Sequence, residues 1–227
     1  MNSNEEIEII YLSFVNRETE LRQKYITPYL NSEEEHYRMD LEAYTALCFG
    51  AIEDFIKKMA KVSLKIAKEK WRQNNEINDT LLSLTYFCIY HLEQGRKNNI
   101  DENGNELIPF GKLKHKTTQN IIQNREVLDK LIGFSCASYL NYIENNHGGI
   151  TYEALLKILR PVAISLIDNP DIESAFTLIK EYRGSIVHRI DAQEKITTLP
   201  SIQDIVQKVD YCLQFCENVK DQVLAKI

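Results

Sequence analysis

The stretch "YTALCFGAIEDFIKKMAKVSLKIAKEKW", residues 44–71, decides the fold. Tyr44, Leu47, Cys48, Ala51, Ile52, Phe55, Met59, Val62 and Ile66 recur at helical spacing, the apolar stripe of an amphipathic helix. Just before it, "NSEEE" offers Ser32 as N-cap with Glu35 three residues on, a capping box. The helix is expected to run to about Trp71. A chain of 227 residues with only 8 glycines and 5 prolines has few sharp turns available, which favours helices over short strands.

Working outward, residues 5–25 form a first helix stopped by Pro28. "NDTLLSLTYFCIYHLEQG", residues 78–95, reads as a helix capped by Asp79 or Thr80 and closed by Gly95. Residues 97–117 break the pattern, and Asn103-Gly104 suggests a small hairpin or ordered loop. Residues 118–145 are expected to be helical, in one piece or in two around Gly133. Thr151 caps a short helix that Pro161 ends or kinks. Asn169 as N-cap, Pro170 at the first helical position, and Asp171 and Glu173 in the first turn launch another. Ser201 caps the last helix, whose Ile202, Ile205, Val209, Cys212, Cys216, Val219 and Val223 form a heptad seam. The expected fold is an all-α bundle: a single domain over residues 1–227 with an irregular insertion near 97–117.

The formal net charge of −6 argues against indiscriminate nucleic-acid binding. Residues 57–72 nevertheless hold seven basic residues and one acid, Glu69, either as a solvated helix face or as a binding track. Five cysteines without a framework spacing indicate reduced thiols and a cytoplasmic protein. The acidic start "MNSNEEIEII" has no signal-peptide pattern. Apolar windows such as "LLSLTYFCIY" fall short of the roughly 20 residues that cross a bilayer. Cys212 and Cys216 stand one turn apart, but no second pair or nearby histidine completes a zinc set, so neither a metal nor a cofactor is expected.

Two polar features remain. Glu53 shares a stripe with Ala46, Phe49, Ala60 and Leu64, so its carboxylate is expected to be partly buried and to need a partner. That partner is an interhelical cation, a tyrosine, or a nearby Arg or His that Glu53 orients. The second feature is "FTLIKEYRGSIVHRID", residues 176–191, which carries Arg183 and His188 inside an apolar helix. A separation of five residues turns a helix by about 500°, leaving the two positions about 140° apart. They converge only if Gly184 permits a local break, if two copies of the chain meet, or both. An imidazole that moves a proton and a guanidinium that holds a phosphate suit phosphodiester cleavage, with the RNA 2′-hydroxyl as nucleophile.

"RGSIVH" resembles the R-x-x-x-x-H motif of the HEPN superfamily, all-α domains many of which are metal-independent ribonucleases. The setting is similar too: a helix opened by "NPDIESAFTLI", a short polar stretch, then a final amphipathic helix, with a polar residue in an earlier long helix at Glu53. Gly184 and Arg189 stand where many members have asparagine and glycine, and Ile190 stands where modified toxins have tyrosine. The resemblance implies a homodimeric endoribonuclease in toxin–antitoxin systems or antiviral defence. In it His188 would be the general acid/base, Arg183 would bind the scissile phosphate and Glu53 would orient one of them. Ser185 and Arg189 would add phosphate contacts, and Lys57 and Lys61 would extend the RNA path. The implied partners are RNA, a second copy, and an antitoxin or regulatory protein, with no membrane. The competing expectation is a catalytically silent HEPN-like domain used for dimerisation, nucleotide binding or partner binding.

Overall fold

The computed structural model describes residues 2–30, 38–75, 77–94, 125–145, 151–188 and 201–227, with the backbone alone at 89–94 and 183–188. Among the described residues the architecture is all-α and no strand occurs. Seven helices follow in order: α1 (Ser3–Tyr25), α2 (Arg38–Asn74), α3 (Asp79–Gln94), α4 (Arg125–Asn145), α5 (Tyr152–Leu159), α6 (Pro170–His188) and α7 (Ile202–Leu224). Short 3-10 turns at Thr27–Tyr29 and Arg160–Val162 carry Pro28 and Pro161, the two prolines expected to stop helices.

Local chemistry accounts for most helix ends. Asn2 opens α1 with a reciprocal capping box: its side chain accepts from Asn4 N at 3.0 Å, and its own N–H donates to Glu5 at 3.2 Å. Thr151 Oγ1 accepts from Ala154 N, Asn169 Oδ1 from Asp171 N and Ser201 Oγ from Asp204 N, so these three expected caps form. The cap of α3 differs from expectation. Asn78, not Asp79 or Thr80, accepts from Leu81 N at 3.0 Å, while its amide donates to Ala67 O at 2.9 Å. Thr80 is drawn away to the carbonyl of Val162, at 3.3 Å. The Ser32 capping box, the 97–117 segment and the 118–124 start of the fourth expected helix lie outside the described residues.

α4 runs through Gly133 in one piece, without dividing there. Gly133 is on the exposed side, while buried Ile132 and Cys136 pin the opposite face to the core, so packing outweighs the glycine's weak propensity.

α1 lies antiparallel to both α2 and α7. Its start meets the end of α2 through Glu6–Lys65 at 2.6 Å, and its end meets the start through Tyr44–Glu18 at 2.8 Å. Phe14 and Phe55 stack between them with ring centroids 4.6 Å apart. On the other side Lys220 lies over the Tyr11 ring, and Arg22 bonds Asp210. α4 joins α2 through Trp71 Nε1, which donates to Asp129 at 2.8 Å, and through Lys61–Glu144. α6 packs against α2 and α7. Its Ile172, Ala175, Phe176 and Ile179 are buried, and Phe176 meets Phe215 edge to face at 5.3 Å. The heptad seam of α7 is buried throughout, and Phe215 joins it.

One member of the expected apolar stripe of α2 faces outward. Leu47 is 40% exposed, because α1 and α7 cover α2 on the side of Cys48, Ile52 and Phe55 and leave the Leu47–Gly50 side open.

Candidate functional site

α6 reaches the R-x-x-x-x-H segment as a continuous helix. The backbone stays helical through Gly184 to His188, so a local break at this glycine, one of the two routes to convergence, does not occur. The twist of an unbroken helix then holds positions 183 and 188 about 140° apart around the axis. By register, position 183 continues the stripe of Ile172, Phe176 and Ile179, and position 188 falls away from it. Ser185 is on the same helix, and Arg189 lies outside the described residues.

Glu53 is half-buried, as its position in an apolar stripe predicts. Among the described residues its partner is neither interhelical nor a tyrosine. Lys57 Nζ, one turn along α2, donates to Glu53 Oε1 at 2.7 Å, with both side chains 18% exposed. The structure therefore brings two of the candidate residues together as an ion pair. Lys61 points elsewhere, to Glu144 on α4 at 3.0 Å. Lys58 pairs with Asp54, which is solvated as expected, and Lys65 with Glu6. Four of the seven cations in the 57–72 run are thus matched by acids, and the run is a partly neutralised face rather than a bare positive track.

Two polar constellations escaped the sequence reading. The first joins α1, α2 and α7. Glu18, 7% exposed, accepts from Tyr44 OH at 2.8 Å and from Arg22 Nε at 2.7 Å, and Arg22 also bonds Asp210. Burial, then the charges of Cys48 and Glu18, push the Tyr44 phenol far above its usual range. Burial likewise pushes the neighbouring Cys48 thiol up to about 12. The sequence signal was present: Glu18 interrupts the stripe of Ile7, Phe14 and Leu21, and Arg22 follows four residues later.

The second constellation is a cradle at the end of the chain. Lys226 Nζ donates to Ser63 Oγ and Thr80 Oγ1, both at 3.0 Å, and to Val162 O. Ser63 and Thr80 also donate to that carbonyl. A cleft of about 250 Å³ adjoins it, lined in part by Lys70 and Asp79. Burial lowers the Lys226 pKa to about 8, with Asp79 opposing the shift. No local pattern announces this cradle, because its acceptors come from three separate segments.

Cys212 and Cys216 are both buried in the α7 seam, and burial raises both thiols. They behave as small core residues. No helix among the described residues is long and apolar enough to cross a membrane.

The motif-bearing α6 thus packs against both the long α2 and the heptad-patterned α7. Residues 12–225 match the family model described as RiboL-PSP-HEPN, and the chain belongs to that family. No curated protein and no solved structure matches it.

Proposed function

We propose that the protein is a metal-independent endoribonuclease, acting as one all-α HEPN domain and as a homodimer in the cytoplasm. The carrying observation is that R-x-x-x-x-H ends α6 in a chain that the HEPN family model matches over residues 12–225. In this reading the RNA 2′-oxygen attacks the adjacent phosphorus and the bond to the 5′-oxygen breaks. The products are a 2′,3′-cyclic phosphate and a free 5′-hydroxyl. His188 takes the 2′-hydroxyl proton or delivers one to the leaving oxygen. Arg183 binds the phosphate and offsets its growing charge. The unbroken helix supports a site shared between two chains, because one regular helix does not turn both positions toward one phosphate. Glu53 orients Arg183 or His188, Ser185 and Arg189 add phosphate contacts, and Lys57 and Lys61 extend the RNA path. A toxin or antiviral effector held in check by an antitoxin or regulatory protein is the biological role this chemistry suits.

A second reading is a catalytically silent HEPN domain that dimerises or binds a nucleotide or a partner protein. It is favoured by the Glu53–Lys57 pair, whose charges already satisfy each other, and by helical geometry that keeps positions 183 and 188 apart.

The deciding experiment incubates the purified protein with mixed single-stranded RNAs, with and without EDTA, beside Arg183→Ala and His188→Ala. EDTA-resistant cleavage lost in both variants supports the enzyme. A folded dimer that cuts no RNA, with no growth defect on expression, supports the silent domain.

A further inference from the structure

Lys226 follows α7 and turns its side chain back into the bundle. Its Nζ donates to Ser63 Oγ and Thr80 Oγ1, both at 3.0 Å, and to Val162 O. All three acceptors are uncharged. Lys57, Lys58, Lys61, Lys65 and Lys130 each pair with an acid, whereas among the described residues no carboxylate pairs with Lys226. A charge withdrawn from water ordinarily needs such a partner. The cradle is therefore a poor holder of a cation, and burial lowers the pKa to about 8.

The cradle suits the neutral amine as well. The Ser63 and Thr80 hydroxyls each reach Val162 O at 3.3 Å, so their protons have an acceptor other than the amine. The lone pair is then unclaimed, and the flexible lysine stem can turn it outward. Outward lies the cleft of about 250 Å³, which Lys226 itself lines together with exposed Ala225. A desolvated lysine facing open space in this way is a nucleophile.

The rest of the lining indicates the electrophile. Lys70 from α2 and Asp79 from the start of α3 are the other charged groups in the cleft. Among the described residues neither forms an ion pair with the other or with Lys226, so Lys70 keeps a cation for an anionic group. The cleft is smaller than the roughly 300–1,000 Å³ of drug-sized pockets, which suits a compact donor. We propose that Lys226 is an acylation site whose amine takes the acyl group of a small acyl phosphate seated with its phosphate at Lys70. The nitrogen lone pair attacks the carbonyl carbon, the C–N bond forms and the bond from that carbon to the phosphate oxygen breaks. Inorganic phosphate leaves, carrying the surplus proton of the nitrogen. The amide keeps one N–H where the ammonium had three, so acylation removes the charge and loosens the hold of this residue on α2 and α3. Nothing in this chemistry depends on RNA cleavage.

The test incubates the protein with acetyl phosphate and maps acetylated lysines by peptide mass spectrometry over time and from pH 7 to 10. Lys226 is expected to react at least about tenfold faster at pH 8 than Lys130, which is 76% exposed. Its rate is expected to level off above pH 8, while that of an ordinary lysine goes on rising to about pH 10. Lys70→Ala is expected to slow the reaction with acetyl phosphate about threefold or more, yet leave the reaction with uncharged N-acetoxysuccinimide unchanged, which shows the cradle intact. Lys226 reacting no faster than Lys130 overturns the proposal, as does a rate at Lys226 with no plateau. A Lys70→Ala variant that takes acetyl from acetyl phosphate as fast as the wild type overturns it too.

Discussion

Lys57 donates to Glu53 one turn along α2 at 2.7 Å, with both side chains held at 18% exposure. The pair is too exposed to count as a buried ion pair and too enclosed to be an ordinary surface one. Its orientation, with the acid N-terminal to the lysine at i, i+4, is the favourable one in a helix. Neither charge is free to act without the other.

Glu53→Gln therefore tests both roles of the pair. Denaturant unfolding is expected to show a loss of about 0.5 kcal/mol, the usual worth of such a helical pair. RNA cleavage is expected to fall by at least about tenfold, because Glu53 no longer orients Arg183 or His188. Loss of stability with unchanged cleavage would make the pair purely structural.

Tyr44→Phe removes the hydroxyl that donates to buried Glu18. The carboxylate keeps Arg22 but loses its second donor in the core. A bond to a charged group of this kind contributes about 1.5–3 kcal/mol, and the variant is expected to lose that much. The urea midpoint should drop while the slope stays constant, since the surface exposed on unfolding is unchanged.

Lys226 predicts a pH dependence of defined sign. Burial lowers its folded-state pKa to about 8, against 10.5 for the free side chain. Between those values the unfolded chain binds more protons than the folded one, so this lysine makes stability rise with pH. Below about 8 both states are protonated and its contribution is flat. The buried thiols and phenols, whose pKa values are raised, pull the other way at alkaline pH. The measurable quantity is thus the difference between wild type and Lys226→Met from pH 7 to about 10.5. That difference is expected to change by up to about 1.4 kcal/mol per pH unit inside the window, and a flat difference would contradict the lowered pKa.

Arg183→Ala and His188→Ala are each expected to slow cleavage by about 100-fold or more while leaving helical content intact. The wild-type rate should follow a bell-shaped pH profile if His188 exchanges a proton, and His188→Ala should lose one limb of it. Mixing the two inactive variants offers a sharper readout. In a site shared between chains, heterodimers regain one complete Arg–His pair and with it part of the activity. No recovery on mixing, with heterodimers present, would place the site within one chain.

Much of the helical framework was readable along the chain. Thr151, Asn169 and Ser201 cap the helices expected of them, because a cap bonds backbone only two or three residues away. The α7 seam and most of the α2 stripe are buried for a similarly local reason: a helix repeats every 3.6 residues wherever it sits. The partial burial of Glu53 followed from its stripe, but its partner did not, since an intrahelical lysine competed with every distant group.

The amino-acid order by itself determined the all-α class, the ends of most helices and the position of R-x-x-x-x-H at the close of α6. These depend on interactions spanning a few residues. Only the tertiary structure decided that Leu47 and Gly50 face outward, that Glu18 sits buried beside Tyr44 and Arg22, and that Lys226 closes on Ser63, Thr80 and Val162. Those outcomes depend on which helices meet. A buried polar group takes its partner from whatever chain packing brings within about 3 Å, however far away in sequence that partner lies.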